Sequence, residues 1–158
     1  MVTDASLRDI QRRCPPGVDS TQLRANFTIA GAQPWEEDTW RLIRIGSVEF
    51  VVAKPCSRCI LTTVHPYSGK PHSGGEPMPT LRNFRSTASG DIHVGLNLVA
   101  RSSGLMRVGD RVHILKSGNA PSHGAGSSVA NHFPRSDKNQ RQVVLLWEGK
   151  NSREIIRK

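Results

Sequence analysis

Lys54-Pro55-Cys56-Ser57-Arg58-Cys59-Ile60-Leu61-Thr62-Thr63-Val64-His65-Pro66-Tyr67-Ser68-Gly69 holds the densest chemistry in the chain. Cys56 and Cys59 form a CxxC pair, with Lys54 and Arg58 supplying positive charge beside the sulfurs. Cationic neighbours favour the thiolate, the form that ligates metals and attacks electrophiles. A zinc site needs a second ligand pair, yet Cys14 is distant and the histidines show no matching spacing. A thioredoxin-like dithiol opens a helix inside a βαβ unit, whereas the β-branched run Cys59 to Val64 predicts a strand. Spacing alone leaves zinc, redox, structural and other ligand roles open.

Upstream of this stretch, Trp40–Ile45 and Val48–Ala53 are two β-rich runs joined by Gly46-Ser47, which predicts a tight hairpin. Leu23 to Ile29 also reads as a strand. Residues Asp4 to Arg13 read as a helix, with Leu7 and Ile10 at helical spacing, Thr3 or Asp4 as cap and Cys14-Pro15-Pro16-Gly17 as its stop. Downstream, residues 68–77 predict an exposed loop and Pro79 to Arg85 a short helix. Gly90 to Ala100 and the alternating Val108 to Leu115 predict two further strands, and Val143 to Trp147 a last apolar one. Many short strands with two short helices predict a mainly β fold, a β-barrel with a few peripheral helices.

At 158 residues the chain suits one domain with a single core, and an apolar share of 36% with 14 Gly and 10 Pro predicts many turns. We expect a domain over 1–117, a Gly/Ser-rich linker over 118–141 and a basic segment with one strand over 142–158. No run approaches the roughly 18 apolar residues of a membrane span, and no secretory leader is evident. Three cysteines, an odd number, argue against a disulfide framework and for a reducing cytoplasm. The net charge of +9 suits a phosphorylated cofactor or an acidic partner. The basic tail lacks the interleaved aromatic residues of a single-strand platform, which argues against nucleic acid.

The opening stretch closely resembles the signature of the MOSC domain, named for the C-terminal part of molybdenum cofactor sulfurase. The similarity is closest to the branch holding the mitochondrial amidoxime-reducing components and their bacterial relatives that reduce N-hydroxylated bases. Other segments follow in the same order. Asp4-Ala5-Ser6-Leu7 resembles the family's entry helix, Arg24-Ala25-Asn26-Phe27 its Arg-Pro-Asn strand, and Gly31 to Asp38 its acidic loop. Glu76-Pro77 through Arg85 resembles its Glu-Pro helix, Gly95-Leu96-Asn97 its Gly-Gln-Asn, and Met106 to Asp110 its closing Val-Gly-Asp hairpin. Ala25 stands where the family has Pro, and His65 where it has Asp.

The resemblance implies a MOSC-type β-barrel that binds molybdenum cofactor (molybdopterin), with Cys59 as metal ligand and catalytic centre. A soft thiolate suits a metal that already carries dithiolene sulfur. It places Ser57 and Arg58 against the pterin, Arg24 and Asn26 on the cofactor-contacting strand, and Ser6 at the helix start that approaches it. It implies reduction of a small N-hydroxylated substrate, with electrons from a separate ferredoxin- or flavin-type protein. The family's N-terminal β-domain, which holds the cofactor phosphate, is expected to lie outside this chain. Two alternatives stand beside this reading. One is a metal-free persulfide carrier on Cys59; the other is a non-catalytic binding module.

Overall fold

A computed structural model describes residues 1–118 and 144–146. The Gly/Ser-rich linker and most of the basic segment expected from the sequence lie outside the described residues. The chain starts with a two-residue strand, β1 (Val2–Thr3), that runs straight into helix α1 (Asp4–Arg13). Thr3 caps the helix by accepting the Ser6 amide at 3.2 Å. Leu7 and Ile10 are its buried face, and Pro15-Pro16 cannot continue it because proline has no amide to donate.

The hairpin predicted at Gly46-Ser47 joins β3 (Trp40–Ile45) to β4 (Val48–Arg58), with Ile45 opposite Val48. Strands β5 (Ile92–Ala100) and β6 (Val112–Ser117) flank them, so one antiparallel sheet has the order β5-β4-β3-β6. A second sheet places β2 (Thr28–Ala30) between β1 and β7 (Val144–Leu146). Helix α2 (Met78–Arg85) matches the predicted Pro79–Arg85 helix.

The expected mainly β fold with two helices is present; among the described residues the strands form two sheets, with no ladder closing them into a barrel. Among the described residues a pair of backbone bonds crosses each seam. Met1 and Leu96 exchange two bonds of 2.9 Å at one seam. At the other, Gly109 donates to the Leu145 carbonyl and Leu145 to that of Asp110.

Three strand expectations are corrected. First, Leu23 to Ile29 is a strand only from Thr28. Ser20–Leu23 is a 3-10 turn nucleated by a capping box between Asp19 and Gln22, and Arg24 ends it in the left-handed region at φ 49°. Second, the β-branched run after Cys59 is a 3-10 turn, Ile60–Thr63. The Thr62 hydroxyl bonds the Cys59 carbonyl and the Thr63 hydroxyl the Ile60 carbonyl at 2.8 Å, so the threonines satisfy locally the groups a ladder would have taken. Third, Val108 to Asp110 forms a turn, with the Arg107 amide donating to Asp110 at 2.7 Å, and β6 begins only at Val112.

Two cores result. One lies between the sheets and contains Met1, Ile29, Trp40, Ile43, Phe50, Leu96, Val112 and Leu145. The other packs Leu7 and Ile10 of α1 and Leu81 of α2 against Ile92 and Val94. A polar clasp closes over the second core. Trp35 donates its indole N–H to Asp9 at 2.9 Å, Asp9 pairs with Arg12 and Arg13, and the Arg85 fork holds Asp38 at 2.8 and 3.0 Å. Arg85 also covers the Trp35 ring at 4.2 Å and Arg13 the Phe84 ring at 4.5 Å, contacts that fix the 31–38 loop between the helices.

Candidate functional site

β4 does not run straight into the cysteine pair. Its register with β5 slips between Val52 and Lys54 and again between Pro55 and Ser57. Pro55 brings no amide to the ladder, and such irregularities bend a strand and re-aim its side chains. Ser57 then lies opposite His93, and Arg58 opposite Ile92. Cys59 leaves the strand and caps the Ile60–Thr63 turn.

All three cysteines are free; Cys59 is exposed and Cys56 half-buried. Beyond Cys59 the surface is apolar, with Ile60 exposed at 74%, Leu61 at 53% and Tyr67 at 60%. Among the described residues no cluster of three His, Cys, Asp or Glu side chains could hold a metal, so zinc lacks a ligand set here. A metal that brings sulfur ligands of its own needs one protein thiolate, and Cys59 fits that requirement.

The segment carrying Arg24 and Asn26 is tied to the cysteine motif from both sides. Arg58 donates Nη1 to the Leu23 carbonyl at 2.7 Å, and Arg24 donates Nη2 to the Val64 carbonyl at 3.1 Å. Gln22 adds a third bond, to the Thr62 carbonyl at 3.1 Å. A residue just before the motif's end thus holds the turn, and the turn's own arginine holds the residues just after it. Strain at Arg24, a non-glycine residue with positive φ, is maintained by these contacts.

The predicted ligand-facing residues divide into two groups. Asn26 and Ser57 are exposed and their side chains make no hydrogen bond among the described residues. Arg24 is exposed and uses one donor, leaving most of its fork available. Beside it a cleft of about 250 Å³ opens between the Ser20–Leu23 turn and Pro66–Tyr67. These three residues, with Cys59, are chemically suited to a pterin carrying amide-like edges and phosphate.

Arg58 and Ser6 are committed elsewhere. The Arg58 guanidinium is half-buried and spends three donors on the Val94 and Leu23 carbonyls. Burial works against its charge, and Cys56 and Cys59, when ionised, support it. Ser6 is fully buried; its hydroxyl donates to Glu37 at 2.9 Å and accepts the Trp35 amide at 2.7 Å. Glu37 is itself fully buried, accepting also from the Thr3 amide and hydroxyl. Burial pushes its carboxyl above the ordinary glutamate range, with the Ser6 and Thr3 bonds pulling the other way.

His65 shows how a substituted position keeps its local task. Its Nδ1 accepts the amides of Tyr67 and Ser68, each at 3.3 Å, as a carboxylate would in an Asx turn. Gln22, Thr62 and Glu37 were not among the residues singled out by sequence. The Asp19-x-x-Gln22 spacing is a capping-box signature and could have pointed to Gln22; nothing local marks Thr62 or Glu37.

The MOSC domain family model matches residues 1–113. The human "Mitochondrial amidoxime-reducing component 1" is 35% identical over 122 residues, 73% of this chain and 36% of that protein. The human "Mitochondrial amidoxime reducing component 2" is 34% identical over 120 residues, 72% of this chain and 36% of that protein. A "Molybdenum cofactor sulfurase" of Oryza sativa subsp. japonica is 31% identical over 94 residues, 54% of this chain and 11% of that protein. The chain thus spans about a third of the length of the amidoxime-reducing relatives. Among the described residues no helix is long and apolar enough to cross a membrane. With the match covering most of the chain and its ordered motifs present, the chain belongs to the MOSC domain family.

Proposed function

We propose that this chain binds molybdenum cofactor through Cys59 and takes part in reducing small N-hydroxylated compounds, with electrons from a separate electron-transfer protein. The observation that carries this reading is the Cys59 thiol, free and exposed at the end of β4, with Ser57, Arg24 and Asn26 presenting uncommitted polar groups on the segments bound to it. Similarity to the amidoxime-reducing components and to a molybdenum cofactor sulfurase supports the same assignment. The paired contacts at Met1–Leu96 and Leu145–Asp110 support reading the two sheets as one barrel split along two seams.

In this reading Cys59 gives a thiolate to the metal. Arg24 holds oxyanions with its free donors, and Asn26 pairs with an amide-like edge through its own amide. Ser57 offers a hydroxyl from the end of β4. The exposed Ile60 and Leu61 provide apolar surface that a bound ligand covers, keeping water from the thiolate. When bound, the group supplies a metal able to accept oxygen from a substrate in a two-electron reduction.

The test is molybdenum content and released-pterin fluorescence of protein made in cells that synthesise the cofactor. Near-stoichiometric molybdenum, lost in a folded Cys59→Ser variant, is expected. Retention of the metal by that variant overturns the reading. A wild-type chain without molybdenum whose Cys59 carries one extra sulfur atom, removable by reductant, would assign it instead to sulfur transfer.

A further inference from the structure

The Cys59 backbone is held from beneath by two buried polar side chains. Gln22 is 1% exposed and Thr62 5%. The Gln22 Oε1 accepts the Asp19 amide at 2.8 Å, and its Nε2 donates to the Thr62 carbonyl at 3.1 Å. Thr62 then donates its amide to the Cys59 carbonyl at 3.0 Å, and its hydroxyl to that same oxygen. Both ends of the Gln22 amide are thereby fixed, one three residues away and one across the site. A buried amide stripped of a partner pays its full desolvation penalty, so these bonds resist separate breakage.

We propose that Gln22 is a positioning residue which, through Thr62, fixes the direction in which Cys59 presents its thiol. This rests on reading Cys59 as a metal ligand. Partners one step removed from a ligand set its orientation, and their loss typically weakens metal binding by about tenfold or more. A purely structural glutamine would act differently, because its removal would lower protection everywhere through global unfolding. A positioning glutamine releases the Ile60–Thr63 turn alone.

Amide hydrogen exchange of the metal-free 158-residue chain separates the two. In a Gln22→Leu variant, exchange at Thr62 and Val64, whose amides close that turn, is expected to rise about tenfold, while Ile43 and Phe50 in the large sheet stay unchanged. Unchanged exchange at Thr62 and Val64, or an equal rise across the sheet, overturns the proposal. If Gln22→Leu does not fold, Thr62→Val decides by the same pattern, since it deletes the hydroxyl's bonds to the Cys59 carbonyl and the Met78 sulfur and leaves the Gln22 bond to the Thr62 carbonyl in place. Molybdenum content is measured in parallel. An about tenfold loss of affinity in the variant is expected, and full loading despite a loosened turn also overturns the proposal. Wild-type protein that never holds molybdenum removes the reading of Cys59 as a ligand, and the exchange pattern still decides whether Gln22 orders its turn.

Discussion

Arg58 grips the Val94 carbonyl with two N–H groups, Nε at 3.1 Å and Nη2 at 2.7 Å. The remaining arm reaches Leu23, so one side chain joins the end of β4, the first part of β5 and the turn that carries Arg24. A lysine is a single point donor and cannot span both carbonyls. Arg58→Lys is expected to lower stability by about 2 kcal/mol, read from urea unfolding at neutral pH; an unaltered midpoint would show that the fork is dispensable.

Glu37 gives the fold a pH dependence of known sign. Its carboxyl is raised by burial in the folded state, so the folded chain holds that proton more tightly than the unfolded chain. Its contribution to stability is fully present below the ordinary glutamate value and is lost as pH rises through the raised one. Wild type is expected to lose more stability than Glu37→Gln on going from pH 5 to pH 8. Equal slopes in denaturant titrations would contradict this.

Asp9 works in the opposite direction. Burial pushes its carboxyl up, but the Arg13 and Trp35 hydrogen bonds and the charges of Arg13 and Arg12 outweigh that and hold it below the ordinary aspartate value. Its contribution is present above the ordinary value and lost as pH falls through the lowered one. Asp9→Asn is expected to cost about 1–2 kcal/mol at pH 7 and progressively less in acid. Acid-unfolding curves of the two proteins should therefore converge.

Gly95 sits at φ +71° with the Met1 carbonyl oxygen directly over the place a Cβ would occupy. Gly95→Ala combines a disfavoured backbone angle with a clash against main chain, which cannot swing away as a side chain could. A loss of about 3 kcal/mol or more is expected, visible as a lower Tm with Leu96→Ala as a core reference. A neutral effect would mean that the Met1–Leu96 seam opens easily.

Periodicity identified the elements whose partners are close in sequence. The α1 range, α2, and the β3–β4 hairpin follow from Leu7 and Ile10, Leu81 and Phe84, and Gly46-Ser47, each a local signal. It missed the segments where side chains compete with the ladder. Thr62 and Thr63 look like strand residues by branching, yet their hydroxyls bend the chain after Cys59. The same blindness applied to the site. That Cys59 carries a thiol and Asn26 an amide is legible in the sequence, whereas their exposure, and the commitments of Arg58 and Ser6 to Leu23, Val94 and Glu37, come only with folding.

Leu145 lies beyond the stretch matched by the family model, yet it is 3% exposed, belongs to the core between the sheets, and pairs with Ile29 of β2. Shared ancestry and physical completeness therefore divide this chain at different places. A piece trimmed to residues 1–118 would keep every recognisable motif while leaving β2 with an unpaired edge and a leucine-sized hollow beside Ile29. Such a hollow typically costs about 2–5 kcal/mol, a large share of what holds a domain of this size together. For this protein, the smallest recognisable unit is smaller than the smallest well-packed one.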